Sequence, residues 1–259
     1  MEKYIGAQYF TIREHTKTIE DFEASCKKIA EIGYKIVQIS GTPLAAADMR
    51  PILDKYGLKC VTTHKGYGDF IHDTDGVIEY NRTLGCDLCG LGSMPEALFM
   101  SDEGISQFIE EIKPACERLK SEGLYFGYHN HAFEFVRRNG RYPMERIIAE
   151  TDPDVFKFIV DVYWVQVGGR CPEKFIRSLG ERAMAIHFKD YDFDVAGWSG
   201  KQKMAYVGGG NLDWDAIIEA CDEAGCRWAL VEQDGDHIDG DPFKALALSY
   251  NYLTTKGFC

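Results

Sequence analysis

Short apolar runs with a two-residue period alternate with longer segments of helical period along the whole chain. Runs that fit strands lie at 4–9, 34–40, 58–64, 86–93, 125–131, 156–163, 183–189 and 228–234. Helical patterns fall at 17–32, 44–56, 74–84, 101–121, 142–150, 172–180, 213–224 and 242–256. Punctuation supports this division. Gly33, Gly57, Gly85, Gly123, Gly180 and Gly225 each follow a helix and precede a strand, where a left-handed cap is needed. Asp213 precedes an amphipathic run, and Asp241 followed by Pro242 has the order of a helix cap and its first turn.

Eight strand–helix alternations without a linker or low-complexity segment predict an α/β fold, a (β/α)8 TIM barrel forming a single domain over 1–259. A doubly wound open sheet is the alternative. It takes about two fewer strands and a glycine-rich phosphate loop after the first strand, and residues 9–16 contain no glycine. Strand parity then sorts the faces. Ala183, Ala185, His187 and Lys189 turn toward the barrel axis, and Met184, Ile186 and Phe188 toward the helices. The same parity groups Gly127, His129 and His131, and also Ile159, Asp161 and Tyr163.

Composition narrows the partners rather than the fold. The 259 residues are 45% hydrophobic, and the 26 glycines are scattered, which excludes disordered and collagen-like chains. Lys and Arg number 29 against 41 Asp and Glu, a net charge of −12. Such a surface repels phosphate backbones and anionic lipid, so neither a nucleic-acid nor a membrane partner is expected. No apolar run approaches the ~20 residues that span a bilayer, and the first residues carry no basic-then-apolar signal. A cytoplasmic location is the expectation, and homo-oligomerisation is left open. The nine cysteines are an odd number, and Cys86 and Cys89, although spaced C-x-x-C, sit in an apolar run. They read as buried structural thiols.

Barrel active sites lie at the C-terminal ends of the strands. The polar residues there are His64, His129, His131, Asp161, His187, Lys189 and Glu232. Each alone reads as a satisfied buried polar group; Asp161, His187 and Glu232 ending neighbouring strands together point to a divalent metal. Histidine makes Mn2+ a better fit than Mg2+, with Zn2+ and Co2+ also suited. Lys189 either binds a substrate oxygen or pairs with Asp190 or Asp192. His64 is a substrate hydrogen-bonding group or a plain loop histidine, while His15, His72 and His237 sit in polar turns. Trp164, Trp198 and Phe10 are candidates for an apolar wall on which a sugar stacks. The run Gly208-Gly209-Gly210 before a helix either holds an anion on its N–H groups or makes a tight turn, and the turn is the simpler reading.

The segments Tyr-His-Asn-His-Ala-Phe-Glu-Phe at 128–135, Val-Asp-Val at 160–162, Ile-His-Phe-Lys-Asp at 186–190, the Gly208-x-Gly210-x-x-Asp213 turn and Val-Glu-Gln-Asp at 231–234 resemble the xylose-isomerase-like sugar phosphate isomerase/epimerase superfamily. The match runs over nearly the whole chain in order. The resemblance implies a metal-dependent TIM barrel acting on a ketose, keto-sugar, inosose or related polyol. It implies that Asp161, His187 and Glu232 ligate the metal, with His129 where the epimerase branch has a glutamate. It further implies Glu232 as catalytic base, with His129 as fourth ligand or as acid or base. Glu134 is the candidate for the missing carboxylate, and His64, His131, Lys189 and Trp164 for binding substrate. Isomerisation or epimerisation through an enediolate is placed ahead of elimination, as in the inosose-dehydratase-like branch or a 3-keto-sugar lyase. Some branches cleave nucleic acid at abasic sites, which the acidic charge makes a remote reading.

Overall fold

A computed structural model describes residues 3–259 of the chain. Its ten strands are β1 (Ile5–Gln8), β2 (Ile36–Ile39), β3 (Lys59–Lys65), β4 (Leu88–Leu91), β5 (Tyr125–His129), β6 (Phe156–Asp161), β7 (Ala183–Phe188), β8 (Asp190–Ala196), β9 (Ser199–Ala205) and β10 (Trp228–Val231). Eight close into a parallel barrel in the order β1-β10-β7-β6-β5-β4-β3-β2, and β8 and β9 form a separate antiparallel hairpin. This is the expected (β/α)8 architecture.

The helices are α1 (Ile19–Ile32), α2 (Ala46–Lys55), α3 (Tyr67–His72), α4 (Thr74–Leu84), α5 (Glu96–Phe99), α6 (Asp102–Ser121), α7 (Pro143–Glu150), α8 (Val162–Val167), α9 (Pro172–Leu179), α10 (Trp214–Ala224) and α11 (Pro242–Thr255). The predicted stops are real: all six glycines have positive φ. Asp213 accepts from Ala216 N, and Asp241 from Phe243 N, as expected of caps. Short α3, α5 and α8 lie in βα loops, too brief for a period to reveal. No described helix is long and apolar enough to cross a membrane. The cysteines are free thiols, Cys86 and Cys89 among the buried ones.

Two hydrophobic clusters share the strands. One lies between barrel and helices; the other, built from Ile36, Val61, Leu88, Ile159, Met184, Ala185 and Leu230, fills the barrel below its mouth. Met184 belongs to the inner cluster and Ala183 to the outer one, the reverse of the expected parity. The cause is a register shift: Phe158 pairs with Ala183, but the next residue, Ile159, pairs with Ala185. Beyond that irregularity the predicted alternation holds, and it places His187 beside Asp161.

The hairpin 190–205 is absent from the sequence expectation, and its root explains the glycine run. Asp190, fully buried, accepts from Tyr191 N (2.8 Å), Gly208 N and Gly210 N (3.1 Å each), Leu212 N (3.2 Å) and Trp214 Nε1 (2.7 Å). The run is therefore both a turn and an anion cradle, and its anion is the protein's own carboxylate. A Cβ on Gly210 would lie 2.4 Å from Asp190 Oδ1 and 2.3 Å from Tyr191 O, so glycine is required there. Removing the carboxylate leaves these donors without a buried acceptor. Asp190→Ala is expected to lower stability by roughly 3 kcal/mol or more, measured by denaturant unfolding; a loss below about 1 kcal/mol would show that water replaces the carboxylate at little cost.

Candidate metal centre at the barrel mouth

Four side chains converge where the strands end. One ligand atom from each of His129, Asp161, His187 and Glu232 lies within 4.8 Å of the other three, and all four residues are buried. His129 ends β5, Asp161 ends β6, His187 lies in β7, and Glu232 follows β10 directly. Strand six was expected to run to Tyr163, but the chain turns into α8 immediately after Asp161. Asp161 is itself the cap: Oδ1 accepts from Trp164 N at 3.1 Å, which leaves Oδ2 for the centre.

The two imidazoles are fixed from behind. His129 Nδ1 donates to the Gly92 carbonyl at 2.9 Å, and since a carbonyl only accepts, the proton sits on Nδ1. Its Nε2 faces Asp161 Oδ2 at 3.4 Å, free to take a second proton and donate it or to offer its lone pair to an ion. His187 Nε2 donates to Gln38 Oε1 at 2.8 Å, leaving Nδ1 2.8 Å from Glu232 Oε2 and 3.9 Å from Asp161 Oδ2. The Nδ1–Oε2 approach lacks the alignment of a hydrogen bond, and both atoms are buried with no such partner. His187 Nδ1 thus points a lone pair at Glu232 Oε2, a contact that repels unless a cation lies between. Orientation of metal-binding imidazoles by carbonyl acceptors is how proteins preset such ligands. The donor set of two imidazoles and two carboxylates suits a borderline divalent ion.

Charge leads to the same place. Lys189, 1% exposed, lies 2.6 Å from Asp234 Oδ2, 3.4 Å from Asp161 Oδ2 and 3.5 Å from Glu232 Oε2. It pairs with none of the residues expected from sequence: Asp190 serves the hairpin root, and Asp192 pairs with Lys203. Three carboxylates against one ammonium leave two negative charges, the complement of a divalent ion. Burial opposes the charge of Lys189, but Asp161, Glu232 and Asp234 outweigh it and hold the ammonium protonated. Burial likewise opposes ionisation of Glu232, yet Lys189 and His187 keep its carboxyl well below the usual range. At His129 burial is outweighed by Asp161, which raises the proton affinity of the ring.

Around the cluster stand the other sequence candidates. His64 lies with its ring 5.1 Å from that of His129 and 5.5 Å from that of His187; its Nε2 is buried without a partner, and burial keeps the ring neutral. His131 has its ring 4.7 Å from that of His129, an unpartnered Nδ1, and a pKa pushed down to about 3 by burial. Trp164 places its ring 5.4 Å from Lys189 Nζ. Glu134 stands outside the cluster. Its oxygens accept from Tyr128 Oη (2.6 Å) and His131 N (2.9 Å), and burial lifts its pKa to about 7. Phe10 stacks under Arg13 instead, and Trp198 stands fully exposed at the hairpin tip. Sequence reasoning missed Gln38 and Asp234. Gln38 had a signal, since a glutamine at an inward position of the apolar run Ile-Val-Gln-Ile has to serve some buried group.

Metal titration with a thermal-shift readout tests this geometry. Added Mn2+ or Co2+ is expected to raise the Tm, with about 2.7 kcal/mol of stabilisation at a hundredfold excess over Kd. His187→Ala should abolish the shift, and Gln38→Leu should weaken affinity roughly 10–100-fold by freeing the ring. An unchanged Tm with every metal tried would refute the site.

Comparison with known proteins agrees with this architecture. The family model described as a xylose isomerase-like TIM barrel matches residues 26–254. An inosose dehydratase from Lacticaseibacillus casei is 26% identical over 202 residues, 71% of this chain; the match spans 66% of that relative, just under two thirds of its length. Among solved structures, a sugar phosphate isomerase/epimerase from Parabacteroides distasonis superposes with a TM-score of 0.80 at 22% identity, covering 98% of this chain and 94% of that one. A xylose isomerase-like TIM barrel protein from Mycobacterium smegmatis, in complex with magnesium, gives 0.75 at 13% identity over 98% and 96%. At such identities the solved structures speak for the fold. The chain belongs to the xylose isomerase-like TIM barrel family.

Proposed function

We propose that this chain is a metal-dependent lyase of a keto-sugar or keto-polyol, which removes the proton α to a carbonyl and expels a β-hydroxyl as water. The observation that carries this reading is the asymmetry of the centre. We assign the proton transfer to the carboxylate of Glu232; its cluster neighbour His129 is an imidazole and not a second glutamate. Epimerisation needs a second base on the opposite face of the substrate; elimination on one face needs only one. Glu134, the sequence candidate for that second base, has both oxygens engaged by Tyr128 and His131. Isomerisation or epimerisation, the sequence's first choice, therefore ranks second. The similarity to a relative named inosose dehydratase supports the same order.

His129, Asp161, His187 and Glu232 would hold the ion, which supplies the Lewis acidity that makes an α-proton removable by a carboxylate. Glu232 takes that proton on one oxygen as the C–H bond breaks. When the β C–O bond breaks, the same carboxyl returns the proton to the departing oxygen, so water leaves and Glu232 is ionised again. Lys189 offers an ammonium where negative charge develops on substrate oxygen. The neutral rings of His64 and His131, each with an unpartnered nitrogen, hydrogen-bond substrate hydroxyls.

Incubation of the manganese-loaded protein with inososes and 3-keto-sugars in D2O, followed by NMR and mass spectrometry, separates the readings. Loss of one water per substrate is expected, with Glu232→Gln inactive and Lys189→Met reduced on the order of 100-fold. Deuterium incorporated at one carbon without loss of water would favour epimerisation. Neither event with any keto-sugar, in protein that binds metal, would exclude both.

A further inference from the structure

Beside the metal cluster a groove of about 480 Å³ runs outward along the loops that follow β5 and β6, lined by His131, Ala132, Phe133, Val136, Trp164, Val167 and Gly168. Its inner end is shared with the site, through His131 against His129 and Trp164 against Lys189. The rings of His131 and Phe133 lie nearly parallel, 9° apart with centroids at 5.3 Å, and Phe99 backs Phe133 at 3.7 Å. They form an aromatic stack at one side of the groove. At the outer end Val136 and Val167 are 55% and 39% exposed, apolar side chains left open to water.

Chemistry selects the occupant. No charged side chain lines the groove, so a phosphate or carboxylate finds no counter-ion. Its polar side-chain groups are the His131 ring, with Nδ1 unpartnered, and the indole N–H of Trp164. A second sugar ring would find only the His131 ring and the Trp164 indole N–H to bond its hydroxyls. A planar apolar ring needs no such bonds and packs against the aromatic stack. We propose that the groove is an aryl subsite, taking an aromatic substituent carried by the sugar-like substrate. The proposal rests on the reading of the cluster as a site for a sugar or polyol.

Calorimetric titration of the full chain with 4-nitrophenyl β-glucoside and with methyl β-glucoside tests it. The aryl glucoside is expected to bind about tenfold tighter or more. Val136→Asp and Val167→Asp, both at exposed positions, should each remove most of that preference without changing the Tm. Equal affinities, a preference that survives both substitutions, or no binding of the aryl glucoside at millimolar concentration would overturn the proposal. The preference is read on the full chain as purified. Failure of Mn2+ to bind would sink the catalytic reading and leave this measurement standing.

Discussion

Asp161 and Glu232 are buried within reach of a single ammonium, that of Lys189, which leans closest on a third carboxylate, Asp234. Ionised groups in such a place destabilise a fold by several kcal/mol each unless they are compensated. The arrangement around them is organised by that demand. Gln38 and the Gly92 carbonyl each accept a ring proton on the outer side of His187 and His129, so the other nitrogen of each ring is turned to the centre. A barrel that merely needed a stable mouth would have aimed those protons at the carboxylates. The acceptors behind the rings thus turn both inner nitrogens toward a cluster that could hold a metal ion.

Much of this was legible from strand parity and position alone. The alternation of elements, the glycine caps, and the inward ends of β5, β6 and β7 follow from short-range rules, and they delivered His129, Asp161 and His187 to one place. The failures have physical causes. Parity inverted at Ala183 and Met184 because a register shift inserts one residue between paired strands, an event governed by packing rather than by pattern. The partner of Lys189 was misjudged because sequence neighbours were weighed ahead of a carboxylate from the end of the adjacent strand β10, Asp234, which is distant only in sequence. Glu134 looked available until the fold supplied Tyr128 and the His131 amide to bind it.

Asp161 shows how a barrel strand end combines support with chemistry. One oxygen starts α8, and the other faces the cluster. The carboxylate is anchored by the helix it caps, so its orientation does not depend on a bound ion. Glu134 does comparable work one shell out, holding the loop that carries His131 through its amide. Gly90, on β4, completes the packing: a Cβ there would lie 2.9 Å from the His64 ring and 2.7 Å from Ile159 Cδ1.

The Asp190 root has a consequence for how this barrel can vary. One carboxylate grips the amide at the start of β8 and those of Gly208, Gly210 and Leu212 where the chain returns, so the two ends of the excursion are closed independently of what lies between. The entropy of closing a loop depends on how its ends are held and only weakly on its length. The intervening segment therefore behaves as an exchangeable cassette. It can be lengthened, trimmed or replaced, and the rim beside Asp234 remodelled with it, while the clasp beneath keeps the eight-stranded frame indifferent to the change.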